Sequence, residues 1–225
     1  MELKYITYSE LLCEKLALMG FKRKNKSDYV REYNGFVHTL SFCHSSYIPH
    51  TRDYHILVEF SYPKMEKLAR ELEAYVGGAW TSNVGYLTPN NNFQQWNVPS
   101  SATEDDVRET VYDMIRLIET YAIPYLNKLS DMNVLLLELE EGNSLVPRHA
   151  DYNLPMLYYL IGENENARFY IEQELKKKES RAKRSHEGNS FDPNNNNIRE
   201  TPFDREYNEY KEFADKLMAR IKQEG

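Results

Sequence analysis

Little in this chain of 225 residues invites covalent or metal chemistry. Its two cysteines, Cys13 and Cys43, stand far apart, so neither a disulfide framework nor a C-x-x-C metal or redox pair can be drawn. A glycine-rich phosphate cradle, an H-E-x-x-H helix and a G-x-S-x-G elbow are also missing, which removes the commonest nucleotide-binding, zinc-peptidase and hydrolase designs. No cofactor is called for. The opening MELKYITYSELL has no basic start, apolar core or cleavage site, and no apolar run approaches the roughly 20 residues that span a bilayer. The expectation is a soluble protein of a reduced cytoplasmic compartment that does not associate with membranes.

What the chain does hold is tyrosine and acid. Eighteen tyrosines bring large contact area at little rotamer entropy, which suits recognition surfaces as well as cores. The net charge of −7 is uneven: residues 103 to 145 carry ten acids against three bases and account for all of it. Nucleic acid would be repelled there. The opposite sign gathers in KKKESRAKRSH, 176 to 186, with six bases against one acid, and more weakly in GFKRKNK, 20 to 26. Without interleaved aromatics, such a run reads as a solvated helix end rather than a phosphate-binding surface.

With 41% hydrophobic residues the chain can bury a core and form one domain, or one domain with a helical appendage. Thr7-x-x-Glu10 has the form of a capping box, and Tyr8, Leu12, Leu16 and Met19 make one apolar stripe before Gly20, a helix-ending residue. Cys13 borders that stripe as a small hydrophobe. In DYVREYNGFVHTLSFC, alternating residues flank Asn34-Gly35, the dipeptide of a type I′ hairpin turn. DYHILVEF, 53 to 60, reads as a third strand, and Pro63 opens a helix that buries Met65, Leu68, Leu72 and Tyr75 and stops at Gly77-Gly78. VGYLTPNNNFQQWNV reads as a second hairpin. Thr103 caps a helix that buries Val107, Val111, Met114, Ile118 and Tyr121, and Pro124 should kink or restart it. RSHEGNSFDPNNNN is polar and asparagine-rich, so residues 180–200 are expected to be a mobile linker. Phe203, Tyr207, Tyr210, Phe213, Leu217 and Ile221 fall in register on a last helix. The fold class is α+β: an antiparallel sheet of about five strands with packed helices, then a helical C-terminal half. The division expected is an α+β domain over 1–130, a helical hairpin over 131–179, the linker, and a helix over 201–225.

The order helix, GFKRK, short strand, NG hairpin, LSF strand and tryptophan-bearing segment, over residues 5 to 130, resembles the bacterial family called domain of unknown function 4304. That resemblance implies a fold and a bacterial origin and hands over no catalytic residue. YYLIGENENARFYIEQEL, 158 to 175, is similar to the turn and second helix of a tetratricopeptide repeat, with Gly162 at the turn, Ala167 at a close helix approach, and Tyr170 and Leu175 inward. That family implies protein binding. Only one copy is visible, however, and an array needs about three, so an ordinary helical hairpin is the simpler expectation.

The stretch HTLSFCHSS, 38 to 46, sets a cysteine between two histidines on a strand. Side chains alternate, so Phe36, His38, Leu40, Phe42 and His44 share one face, and Val37, Thr39, Ser41, Cys43 and Ser45 the other. Cys43 and His44 point apart and cannot form a nucleophile and base, while His38 and His44 are about 20 Å apart and cannot share a metal. One grouping remains, across the next hairpin. A turn centred near Pro49 sets Cys43 opposite His55 and Ser45 opposite Asp53, giving thiol, base and carboxylate in one place. A slip of one residue would undo it. His149 and Asp151, two apart, are a second, metal-ligating candidate.

These readings favour a protein that binds another protein without catalysis, the acidic first turn Glu104, Asp105 and Asp106 meeting a basic partner; a toxin-neutralising immunity factor is one specific form. The alternatives are a cysteine-dependent enzyme built on Cys43, His55 and Asp53, and a small-ligand site.

Overall fold

The structure, a computed structural model, describes residues 2–45, 50–74, 80–142, 150–189 and 200–224. The chain forms two compact units: one holds residues 1–63, 78–138 and 143–146, the other 64–77, 139–142 and 147–225.

In the first unit the alternating segments form an antiparallel sheet of six strands: β1 (Lys22–Arg23), β2 (Asp28–Tyr33), β3 (Phe36–Ser45), β4 (Thr51–Ser61), β5 (Trp80–Asn83) and β6 (Trp96–Pro99). Asn34 and Gly35 both take positive φ, 50° and 80°, between the paired Tyr33 and Phe36, as a type I′ turn requires. The expected second hairpin does not form. β5 and β6 both pair with β4, β5 along Leu57–Phe60 and β6 along Thr51–Tyr54. The chain between them is instead gathered on the Asn83 side chain, whose carbonyl oxygen accepts from the Gly85 and Gln94 N–H groups at 2.9 and 2.8 Å while its amide donates to Gln94 O. An asparagine that satisfies three backbone groups holds a loop shape that strand periodicity does not encode.

One sheet face is the core of this unit. Tyr29, Phe36, Leu40, Phe42, Ile56, Val58, Phe60 and Trp80 are buried on it together with helical residues Leu12, Leu16, Val111, Met114 and Leu126. α1 (Glu2–Leu18) starts before Thr7, so Thr7-x-x-Glu10 lies inside the helix and is not its cap. Its end is as expected: Gly20 has φ 82°, and Phe21 N–H reaches back to Leu16 O at 3.0 Å. α3 (Glu104–Leu117) begins with a reciprocal box between Thr103 and Asp106. It continues through a π-helical turn, Ile118–Ala122, into α4 (Ile123–Leu129). Pro124 has no N–H to give, and the wider turn just before it carries the chain past the missing bond, with Ile123 N–H on Ile118 O. α5 (Met132–Glu140) leaves this unit at Glu138.

The second unit gathers α2 (Pro63–Glu71), α6 (Ala150–Leu160), α7 (Asn164–Asn189) and α8 (Pro202–Glu224). α2 ends at Glu71 rather than at Gly77-Gly78. Glu73 takes the left-handed conformation, φ 54°, and Ala74 N–H closes on Ala69 O. Two ion pairs lie at this end of the helix: Glu73 meets Lys216 and Glu71 meets Arg220, both on α8. Met65, Leu68 and Leu72 are buried as expected, while Tyr75 lies outside the described residues. α6 contains Pro155, which cannot bond the carbonyl of Asp151 one turn back, and the Tyr210 hydroxyl donates to that carbonyl at 3.1 Å. Gly162, φ 84°, turns the chain into α7, and Ala167 is fully buried, as a close helix approach needs.

α7 runs to Asn189, so residues 180–189 of the expected linker are helix; 190–199 lie outside the described residues. Polarity misled the reading here, because Ala182 is buried and polar side chains make the remaining bonds. Ser185 meets Thr201 at 3.2 Å and His186 donates to Asp204 at 2.9 Å. Phe203, placed on the buried stripe of α8, is 45% exposed at its first turn, while Tyr210, Phe213, Leu217 and Ile221 are buried as expected. Among the described residues no helix is long and apolar enough to cross a membrane.

Candidate functional site

The face of the sheet opposite the core carries the expected grouping. β3 and β4 pair with Cys43 opposite His55 and Ser45 opposite Asp53, the register inferred from the turn near Pro49. Residues 46–49 themselves lie outside the described residues. The chemistry is nonetheless poor for catalysis. No hydrogen bond joins Cys43 to His55 among the described residues, and the His55 ring lies instead against Phe93, with centroids 5.5 Å apart. Burial pushes the Cys43 thiol up, and the neighbouring carboxylates of Asp28 and Glu59 push it further, so it stays protonated where a nucleophilic thiol would ionise. Asp53 is 8% exposed, and its Oδ1 is buried without a hydrogen-bond partner, so it does not orient His55. Register brings the three residues to one face; the electrostatics hold the thiol in its unreactive form.

On the core face, two of the chain's histidines separate sharply. His44 is exposed, whereas His38 has no exposed surface and sits in a polar chain. Arg31 Nε donates to His38 Nδ1 at 3.1 Å, and His38 Nε2 lies 2.7 Å from Ser130 Oγ. The Ser130 hydroxyl is itself given to Leu126 O, so the imidazole must be the Nε2–H tautomer donating to Ser130. Burial, then the charge of Arg31, lowers the His38 pKa to about 3. Arg31 also bonds Met19 O and Asn127 Oδ1 and lies over the rings of Phe21 and Tyr33. Every lone pair that a catalytic histidine would use is taken up in holding β2 and β3 to α1 and α4. Sequence reading placed His38 on a face and missed its partners, since Ser130 lies 92 residues away.

Asp151, the described half of the second candidate, is engaged in an ion pair. It accepts from Lys178 Nζ at 2.8 Å; Glu206 takes a second bond from the same ammonium at 2.6 Å, and the Tyr210 ring lies 5.1 Å from it. Burial alone would lower the Lys178 pKa, but the bonds and charges of Asp151 and Glu206 outweigh it and raise it. His149 lies outside the described residues, and no group of three metal-ligating side chains is found among the described ones. Lys178 also corrects the reading of 176–186 as a solvated helix end: it is 4% exposed, and Lys177 and Lys183 pair with Glu174 and Glu179. Beside it, α7 and α8 enclose an open cleft of about 460 Å³ that includes His186, Asp204 and Tyr207, where His186 donates to Asp204 and Lys183 pairs with Glu179.

The three acids at the start of α3 have different occupations. Asp106 accepts from Thr103 N–H at 2.6 Å and completes the cap, Glu104 holds Arg108 at 2.8 Å, and Asp105 is exposed. Beyond them one outward stripe runs along the helix at spacings of four and three: Asp105, Glu109, Tyr112, Arg116 and Glu119, all exposed. Tyr112 is 49% exposed, and Lys15 lies 5.8 Å from its ring. This stripe is one exposed part of the acidic band.

Comparison with protein-family models, with curated proteins and with solved structures finds no match.

Proposed function

We propose that this chain is a non-catalytic protein-binding module that meets a basic partner along the outward stripe of α3. The observation that carries the reading is the exposed row of Asp105 and Glu109 of α3 and Glu119 of the turn that follows it around the half-exposed ring of Tyr112, with Arg116 in the same row held by Asp113. Carboxylates around an aromatic anchor attract a basic surface at long range and give it apolar area at contact. The suppressed thiol of Cys43 supports a non-catalytic role, and a toxin-neutralising factor remains one form such a module takes.

The test uses Asp105→Lys, Glu109→Lys and Glu119→Lys together, since these leave the Thr103–Asp106 cap and the Glu104–Arg108 pair intact. Pull-down from the native cell should recover a basic protein with the unaltered chain and lose it with the triple variant, and the association rate should fall as ionic strength rises. Recovery of the same partner by the triple variant overturns the reading.

A further inference from the structure

A second surface, on the other compact unit, has a different construction. Glu140, at the end of α5, accepts two phenolic hydrogen bonds on one carboxylate oxygen, from Tyr158 of α6 and, at 2.7 Å, from Tyr170 of α7. The two rings stack with planes 8° apart and centroids 5.5 Å apart, and Phe169 meets Tyr170 edge-on at 5.3 Å. Phe169 is 53% exposed, and Glu140 is exposed with its second oxygen bonded to no described residue. Burial and the bonds to Glu140 keep both phenols protonated, with Tyr170 pushed up to about 12, and the charge of Glu163 also acts on Tyr158. No described base pairs with Glu140 or Glu163, and the nearby Arg168 is held by Glu165.

A phenol that donates to a carboxylate gains electron density in its ring, so the faces of the stack are better cation acceptors than those of free tyrosines. An exposed phenylalanine against a tyrosine that is itself bonded to a carboxylate with one oxygen open suits one kind of side chain, a long apolar stem that ends in a cation. A planar guanidinium can lie on an aromatic face and still offer N–H groups in its own plane to a carboxylate, which an ammonium cannot do as well.

We propose that Glu140, Tyr158, Phe169 and Tyr170 form a docking point for an arginine side chain of a basic protein segment. The site uses none of the α3 residues and stands or falls separately from the reading above. Its occupant is fixed by charge complementarity: neither Glu140, with one carboxylate oxygen open, nor Glu163 forms an ion pair with a described base.

The probe is a capped Gly-Arg-Arg-Gly peptide, with a citrulline counterpart that keeps the planar group and removes the charge. Titrated into the full chain and followed by amide chemical shifts, the arginine peptide should move Glu140, Phe169 and Tyr170 saturably, and added salt should weaken the response. Glu140→Gln keeps an acceptor for the two phenols, and Phe169→Ala removes a side chain that is already half exposed, so both variants should fold; each should weaken binding several-fold. The α3 triple variant should bind the peptide as the unaltered chain does. An equal response to the citrulline peptide, unchanged affinity in both variants, or no saturable response overturns the proposal, whatever the pull-down shows for α3.

Discussion

His38 shows how a single buried side chain can set the response of this protein to acid. Its pKa falls from 6.5 to about 3 because the neutral ring is buried between Arg31 and Ser130. Between those values the unfolded chain binds a proton that the folded one refuses, so this residue's contribution to stability is complete above pH 6.5 and is lost as pH falls towards 3. The slope from this residue approaches about 1.4 kcal/mol per pH unit. Urea unfolding at pH 7.5 and pH 5 should show the loss, and His38→Gln, which has no charge to gain, should flatten it; an unchanged slope in the variant would assign the acid response to other groups. Gly85 makes a steric prediction. A Cβ there would lie 2.2 Å from Asn92 O and 2.6 Å from the Gln94 backbone nitrogen, so Gly85→Ala should cost about 1–3 kcal/mol in the same assay. A cost within error of zero would mean that the 84–95 loop shifts freely. Neither effect was legible in the sequence. Periodicity assigned His38 to the right face but could not supply Ser130, and the pinch at Gly85 depends on a loop folding back onto Asn83.

At the scale of elements, legibility followed the kind of signal. Where a local rule is self-sufficient the sequence reading held: the Asn34-Gly35 turn, the Gly20 end of α1, the Thr103 cap and the register Cys43 opposite His55 are all present. Where tertiary partners decide, it did not. Glu73 ends α2 in the left-handed conformation and pairs with Lys216, β5 and β6 share β4 with the loop between them gathered on Asn83, and α7 continues to Asn189 with Ala182 buried and Ser185 and His186 bonded to Thr201 and Asp204. The last case is open to proteolysis. Arg181 and Lys183 lie within a helix, so brief trypsin treatment should leave both bonds intact. Early cleavage after either would restore the linker reading for residues 180–189.

For the whole molecule, the consequential fact is that α2, which ends at Glu71, is grouped with helices that begin at Ala150, Asn164 and Pro202, so a cut at residue 130 divides a compact unit. A fragment of residues 1–130 keeps α2 but removes Lys216 and Arg220 together with α6, α7 and α8. Met65, Leu68 and Leu72, buried in the intact chain, then lose the rest of their unit. The fragment should bind a hydrophobic dye such as anilinonaphthalene sulfonate and unfold without cooperativity, whereas the full chain should do neither. A fragment that stays dark to the dye and melts sharply would show that residues 1–130 suffice as a domain.

The ion pairs that tie α2 to α8 also impose a schedule on biosynthesis. Glu73 is made 143 residues before Lys216, and Glu71 149 residues before Arg220. At about 5–20 residues per second, the ribosome delivers those partners roughly 7 to 30 s after α2 has left the exit tunnel. The sheet can assemble in that interval from neighbouring hairpins, but the apolar stripe of α2 waits uncovered. A nascent chain stalled before residue 216 is therefore the form of this protein that a holdase chaperone should grip most strongly, with α2 as its point of attachment.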